Sequence, residues 1–291
     1  MSGSPRLLLI LSMAAFGTVG LVVRRIPLPS GEIALWRAVL AAAALLLYTR
    51  FSGQPLRRSQ LQGAWRLVLS GALMGFNWVA LFEAYRYTSI SVATLTYYLA
   101  PLLVTALSAL LLKERMTRLQ VVCLFLSLLG LAMIIDPGQA GGSNTLLGVL
   151  FGLLSAVLYA SVVMVNRFVQ GVSGVHRTLV QFLAAIAVLL PYNLLRGELQ
   201  LFRMPAAGWP ALLLLGLLHT GTMYCLYFAA IQGLKGHEIA ILSYIDPLVA
   251  VLCSALFLGE RMGLLQIAGG MIILVSSYVS GRVVRDPRGS A

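Results

Sequence analysis

Residues 98–120 read YLAPLLVTALSALLLKERMTRLQ, and residues 244–266 read YIDPLVAVLCSALFLGERMGLLQ. Aligned at a shift of 146 residues, the two stretches are identical at 12 of 23 positions, more than a leucine-rich composition alone would give. An internal repeat of this length indicates a duplicated unit. We therefore predict two copies, one in residues 1–140 and one in residues 141–291.

The composition around these stretches predicts a membrane protein. The chain has 291 residues, of which 59% are hydrophobic and 10% are charged, and its mean hydropathy is +0.91. Soluble domains have about 25% charged residues, so this chain has too few charges to cover a water-facing surface. Disordered chains, disulfide scaffolds and soluble α/β enzymes are therefore poor matches, and we expect an all-α integral membrane protein.

Apolar runs bounded by charges, proline or glycine predict ten transmembrane helices, five in each copy. Their approximate bounds are 7–24, 32–50, 66–86, 90–112, 117–136, 146–167, 177–196, 209–232, 239–258 and 264–283. Because five is odd, the second copy must cross the membrane in the opposite sense to the first. Such inverted-topology repeats are typical of secondary transporters, although a duplication can also be simple structural economy.

Positive charge predicts the orientation. Fourteen of the 21 Lys and Arg residues fall on the side of the two termini, six fall on the other side, and Arg37 lies within the second span. Cytoplasmic loops carry the excess of Lys and Arg, so we expect both termini in the cytoplasm. The loops with Arg57, Arg58 and Arg115 are then cytoplasmic too.

Polar side chains inside spans are candidate functional groups because they are costly in hydrocarbon. They include Asn77, His219 and Asp246, and also Arg37 and Glu83. For each, an ordinary interhelical hydrogen bond is the alternative, worth about 0.6 kcal/mol on average. Asp246 stands out because its counterpart in the first copy is Ala100, so the shared fold does not require a carboxylate there. Asp246 is a candidate to bind a substrate amino group or to exchange a proton; the alternative is a static pair with His219 or a backbone group.

Aromatic residues recur at equivalent positions of the two copies. The pairs are Phe16 with Tyr159, Trp78 with Tyr224, and Tyr98 with Tyr244. A two-fold axis places equivalent residues on opposite walls of a shared volume, and aromatic walls with polar groups suit a small organic solute. We expect these residues to line a substrate pathway, with core packing or an interfacial aromatic belt as the alternative.

Prolines and glycines are expected to shape the helices. Pro101 and Pro247 lie in the middle of spans 4 and 9, where proline kinks a helix and frees a carbonyl; each is either a hinge or a static kink. Small-residue pairs such as Gly71 with Gly75 and Gly148 with Gly152 are expected to be packing faces. The three cysteines form no paired motif and are expected to pack as small apolar residues.

The repeated motif resembles a known family. Tyr-x-x-Pro-Leu followed by Leu-Lys-Glu-Arg-Met at 112–116, and by Leu-Gly-Glu-Arg-Met at 258–262, is similar to the EamA repeat of the drug/metabolite transporter superfamily. Within it, the chain looks most like the bacterial aromatic amino-acid exporters of the YddG type. The resemblance implies ten helices, internal termini, a bacterial inner membrane, and export of amino acids or related metabolites. Lys113 departs from the usual Gly259, but it falls at a helix end where either residue can terminate a span.

Other functions remain open at this point. Export of other small metabolites or of drugs is the first alternative; a channel or a membrane-embedded enzyme is the next. The sequence has no HExxH, GxSxG or phosphate-binding loop, so we expect neither catalysis nor a cofactor or metal. The expected partners are a small-molecule substrate and the lipid bilayer, without nucleic acid and without an obligatory protein partner.

Overall fold

The computed structural model describes residues 4–52, 64–114, 116–134, 145–169, 171–260 and 262–283. Within these ranges the chain is helical, with no strand. The α-helices are α1 Pro5–Gly17, α2 Val19–Val23, α3 Ser30–Phe51, α4 Ala64–Tyr87, α5 Ile90–Tyr97, α6 Ala100–Leu112, α7 Arg118–Ile134, α8 Thr145–Arg167, α9 Gly174–Arg196, α10 Trp209–Leu213, α11 Met223–Gln232, α12 Gly236–Ser243, α13 Ile245–Leu258 and α14 Leu264–Val283. A π-helical segment, Leu214–Thr222, joins α10 to α11, and two 3-10 turns, Leu201–Arg203 and Ala206–Gly208, precede α10.

Nine helical stretches of the described chain are long and apolar enough to cross a bilayer. They correspond to nine of the ten expected spans. The remaining span, expected at 117–136, is represented by α7, an apolar helix of 17 residues. Some predicted features lie outside the described residues. They are the last two residues of this span, the expected copy boundary at 140/141, and Arg57, Arg58 and Arg115.

The bundle has the polarity of a protein in lipid. Large apolar side chains are exposed on the outer helix faces, among them Phe125, Leu256 and Phe257. Polar side chains are buried between helices instead, for example Ser155 and Asn193, both fully buried. Apolar side chains outside and hydrogen-bonded polar groups inside suit a hydrocarbon solvent.

Several spans are broken near their middle. Thr18 separates α1 from α2, Tyr98 and Leu99 separate α5 from α6, and Tyr244 separates α12 from α13. Pro101 therefore begins a new helix rather than kinking a continuous one, and Pro247 is the third residue of α13. A proline near a helix start needs no backbone donor, which explains why breaks precede the two prolines.

Glycines allow the closest helix contacts, both at predicted positions such as Gly71, where a methyl group would meet the carbonyl oxygen of Gln181, and at positions that the small-residue patterns did not include. A methyl group on Gly130 of α7 would lie 2.6 Å from the carbonyl oxygen of Gly269 in α14, and one on Gly269 would lie 2.5 Å from that of Gly130. Gly17, at the end of α1, packs in the same way against the backbone oxygen of Asp246. The broken ends of α1 and α13 are thus held side by side.

Candidate functional site

A cavity of about 320 Å³ lies where the broken helices meet. Its lining contains nine of the residues singled out from the sequence: Phe16, Arg37, Asn77, Trp78, Tyr98, Pro101, Tyr159, Tyr224 and Asp246. Discontinuous helices near the membrane midplane commonly build transporter binding sites. A cavity of a few hundred Å³ holds a small organic solute.

Aromatic rings of the cavity lining pack on one another, in part through Phe182, which is fully buried outside the lining. Phe16 contacts Tyr224 with 5.3 Å between ring centroids, Tyr224 contacts Phe182 at 5.7 Å, and Phe182 contacts Trp78 at 5.5 Å. Tyr159 lies beside Tyr97, 5.5 Å away. The tilted and edge-on arrangements are those that aromatic pairs prefer.

Asp246 provides the acidic group of the cavity. It lies in the first turn of α13, just after the break at Tyr244, and its Oδ2 accepts a 2.8 Å hydrogen bond from the Tyr98 hydroxyl. The same hydroxyl lies 3.3 Å from the backbone oxygen of Ser243. The two broken spans, α5–α6 and α12–α13, are therefore joined at the carboxylate.

Arg37 provides the basic group. It comes from the middle of α3, is 5% exposed, and lies 4.3 Å from the Trp78 ring centroid and 5.7 Å from that of Phe82. Its Nε donates to Thr220 Oγ1 at 2.8 Å. The cavity thus contains one cation and one anion from different helices.

His219 lies outside the lining of the cavity. Its Nδ1 is 3.0 Å from the Leu214 carbonyl oxygen and its Nε2 is 2.8 Å from Thr18 Oγ1. Because a carbonyl only accepts, Nδ1 carries a proton, and the Thr18 hydroxyl that contacts Nε2 also donates to the Ala15 carbonyl oxygen, 2.8 Å away. His219 therefore connects the π-helical segment to the break between α1 and α2, and it is not paired with Asp246.

Three other selected residues have identifiable positions. Asn77 Nδ2 donates to the backbone oxygen of Ser155 at 2.7 Å and to its hydroxyl at 2.9 Å, joining α4 to α8 at the cavity wall. Tyr244 is not in the lining but behind Tyr98, with 6.2 Å between the ring centroids. Pro247 is buried within α13, away from the lining.

Residues that the symmetry argument did not select also line the cavity, and they include Arg37, Tyr85, Thr94, Tyr97, Tyr227 and Ser243. Tyr85 also lines a second, larger depression of about 660 Å³ beside Arg24, Arg86 and Gln200. Tyr85 therefore borders both spaces. For Tyr97, the sequence signal that could have predicted its place in the lining is its position next to Tyr98.

Two ion pairs lie at the opposite ends of one span. At one end of α5–α6, Arg24 Nη1 lies 2.9 Å from Glu260 Oε1, and Glu260 Oε2 accepts from the backbone N–H of Ile90. At the other end, Arg167 Nη2 lies 2.9 Å from Glu114 Oε1. We name these the Arg24 end and the Arg167 end.

The two pairs differ in shielding. The Glu260 side chain is 13% exposed and that of Glu114 is 47% exposed. Arg24 also donates to the backbone oxygens of Tyr85 and Thr88, whereas Arg167 donates to the Ser108 hydroxyl. Exposed pairs contribute little to stability, so the pair at the Arg24 end is expected to hold its helices together more firmly than the pair at the Arg167 end. Arg261 and Arg115, the neighbours of the two glutamates, lie outside the described residues.

The described residues contain no cluster of three or more His, Cys, Asp or Glu side chains suited to a metal ion. Cys123, Cys225 and Cys253 are free.

Known proteins resemble the chain over nearly its whole length. Residues 4–136 and 146–282 match the EamA-like transporter family. An uncharacterized transporter YxxF of Bacillus subtilis is 27% identical over 280 residues, covering 95% of this chain and 88% of the relative. The pseudopaline exporter CntI of Pseudomonas aeruginosa is 27% identical over 287 residues, covering 95% of each chain. A solved crystal structure at 19% identity covers 97% of both chains with a TM-score of 0.63.

The solved structure supports the fold alone, because its sequence identity is low. The family match covers both halves and agrees with the apolar helices and the internal cavity. The chain therefore belongs to the EamA-like transporter family and is a multi-pass membrane transporter.

Proposed function

We propose that the protein is a secondary transporter that exports amino acids, aromatic ones among them, or related small metabolites by alternating access. The observation that carries the proposal is the cavity at the helix breaks, with aromatic walls and the Asp246 carboxylate. Its size suits an amino acid, and its rings suit an aromatic side chain such as the YddG-type exporters carry. The aromatic residues and Asn77 form the walls, and Asp246 binds the amino group.

The architecture in this proposal is ten transmembrane helices in two inverted five-helix repeats, residues 1–140 and 141–291. The two separate family matches support it. So does the packing: α1 packs on α11 and α13, and the equivalent α8 packs on α4 and α6. The helices α7 and α14 are the last of each copy, so the symmetry exchanges them and maps their contact onto itself. This is expected for two helices that meet at the two-fold axis.

The two ion pairs support alternating access. Arg24 aligns with Arg167, and Glu260 aligns with Glu114, at the repeat shifts of the sequence. The symmetry thus provides one closure at each end of the same path, and opening one end while the other stays closed is the requirement for alternating access.

The cellular setting in the proposal is a bacterial inner membrane with both termini in the cytoplasm. The Arg167 end then faces the cytoplasm and the Arg24 end faces outward. The 14-to-6 distribution of positive charge supports this orientation.

The proposal is tested with the purified chain in sealed proteoliposomes. Amino acids and unrelated organic solutes are loaded inside, and efflux is followed with and without a proton gradient. We expect saturable efflux of amino acids, and we expect Asp246→Asn to reduce it sharply because the shape remains while the charge is lost. Glu198→Gln, which removes an acid that pairs with Arg196 at the surface, is the matched control.

Normal efflux and normal pH response in Asp246→Asn would remove Asp246 from the mechanism. Efflux of drugs or other metabolites without efflux of amino acids would overturn the proposed substrate class.

A further inference from the structure

Among the residues that the structure describes, the Arg37 guanidinium is a buried charge without an acidic partner. Five ion pairs occur within the described ranges, and neither Arg37 nor Asp246 belongs to any of them. Glu32, the acid of the same helix, is committed elsewhere: its oxygens accept from the backbone N–H groups of Gln200 and Leu201 and from the Trp36 indole. A buried charge left without a counter-charge destabilises the fold, so we infer that Arg37 serves the function of the protein rather than its stability.

The guanidinium is held so that its far side stays available. Nε donates to Thr220 Oγ1, and the Thr220 hydroxyl donates to the Leu215 carbonyl oxygen, 2.8 Å away in the π-helical segment. The Trp78 ring lies against the carbon of the guanidinium. Among the described residues, the two terminal nitrogens have no hydrogen-bond acceptor, and the residue lines the cavity. Two parallel N–H donors on a fixed plane match a carboxylate.

We propose that Arg37 binds the carboxylate of the transported solute, opposite Asp246, so that the cavity selects molecules carrying both an anionic and a cationic group. The inference rests on the proposed function, because it assigns a second binding residue to the same cavity. Asp246 has one oxygen bonded to Tyr98 and faces the cavity from the opposite repeat. An amine without a carboxylate would leave the guanidinium unpaired in the cavity, and unpaired polar groups are what give such sites their selectivity.

The test uses three probes that differ in one group each: phenylalanine, phenethylamine, which lacks the carboxylate, and phenylpropionate, which lacks the amino group. Binding is measured by calorimetry on the full chain in nanodiscs. We expect Arg37→Gln to weaken phenylalanine and phenylpropionate binding by about tenfold or more and to change phenethylamine binding little. Asp246→Asn should give the crossed result, with phenylalanine and phenethylamine weakened.

Three further variants separate recognition from folding. Arg37→Lys keeps the charge without the paired donors and should restore part of the phenylalanine affinity. Thr220→Val removes the hydroxyl that orients Arg37 and should weaken the two carboxylates only. Arg50→Gln, at the exposed end of the same helix, is the matched control and should bind all three probes as the native chain does.

The outcomes separate this inference from the proposed function. Equal weakening of all three probes by Arg37→Gln, or none, overturns the carboxylate assignment while amino-acid transport by the native chain would stand. Arg37-dependent binding of phenylpropionate without amino-acid transport supports the assignment and overturns the proposed substrate class. A native chain that binds none of the probes overturns both.

Discussion

At the scale of single residues, the Tyr98 hydroxyl controls how Asp246 is presented. Its 2.8 Å bond to Oδ2 fixes one oxygen of a carboxylate that lines the cavity. Tyr98→Phe removes this bond and keeps the ring. A hydrogen bond to a charged group is worth about 1.5 kcal/mol, so we expect the KM for amino-acid efflux to rise about tenfold. Tyr278→Phe, whose ring packs on Tyr244, is the control; equal effects in the two variants would contradict the role of Tyr98.

Lys113 and Gly259 provide a test of backbone strain. Both end their helices in the left-handed region, with φ of 57° at Lys113 and 65° at Gly259. A side chain in this conformation costs about 1–2 kcal/mol, of which glycine entropy offsets part. Lys113→Gly should therefore stabilise the detergent-solubilised protein, seen as a higher Tm, and Gly259→Lys should lower the Tm. A lower Tm for Lys113→Gly would contradict the assignment of strain.

The residues of the cavity could be predicted only in part. The repeat offers a filter, and it selected Phe16, Trp78, Tyr159 and Tyr224, which line the cavity. The same filter passed over Arg37, because the equivalent positions of the second copy are apolar. Arg37 could be selected only as a lone charge within a span. Its position against Trp78 depends on the packing of α3 against α4, which the sequence does not show.

At the scale of helices, the breaks decide where the cavity forms. Span lengths follow from hydropathy, but neither Thr18 nor Tyr98 is a helix breaker by composition. The π-helical segment has a local cause: His219, Thr220 and Thr222 each have a side-chain contact to the carbonyl five residues earlier. Such side-chain bonds compete with the backbone bonds of a regular α-helix. Whether they change the helix geometry depends on the packing of the neighbouring helices.

The ion pair at the Arg24 end joins α2 to the start of α5 and the end of α13. Arg24→Gln should loosen this end and speed the reaction of a cysteine placed at Val19, in the cavity lining, with an impermeant thiol reagent applied to that side. Arg167→Gln should act in the opposite sense and more weakly, because its pair is more exposed. The exchange of Arg24→Glu with Glu260→Arg restores the charge pair but not the bonds to the backbone of Ile90, Tyr85 and Thr88, so it should recover only part of the native rate. Unchanged labelling in Arg24→Gln would remove the pair from the closure.

At the scale of the whole molecule, the family and the helical membrane architecture were predictable, because duplication and hydropathy are properties of the chain as written. The positions of the spans relative to one another could not be predicted from the sequence, because they depend on close helix contacts such as that of Gly130 with Gly269. Orientation depends on positive charge and needs its own measurement.

Orientation is tested in a variant whose three cysteines are replaced by alanine. A cysteine at Ala206, exposed at the Arg24 end, should react with an impermeant reagent in intact cells. One at Lys235, exposed near the start of α12, should react only after the membrane is opened. The reverse pattern would invert the topology and leave the helix arrangement intact.

The position of Tyr85 has a kinetic consequence. Tyr85 lines both the cavity and the depression at the Arg24 end. We expect a solute in the depression to restrict this side chain, so a high concentration of solute on that side should slow efflux from the other. Such trans-inhibition should be lost in Tyr85→Ala, where the ring is removed, and kept in Tyr85→Phe. In the proposed exporter, transport would then slow as the solute accumulates outside, through one side chain rather than through a separate regulatory site.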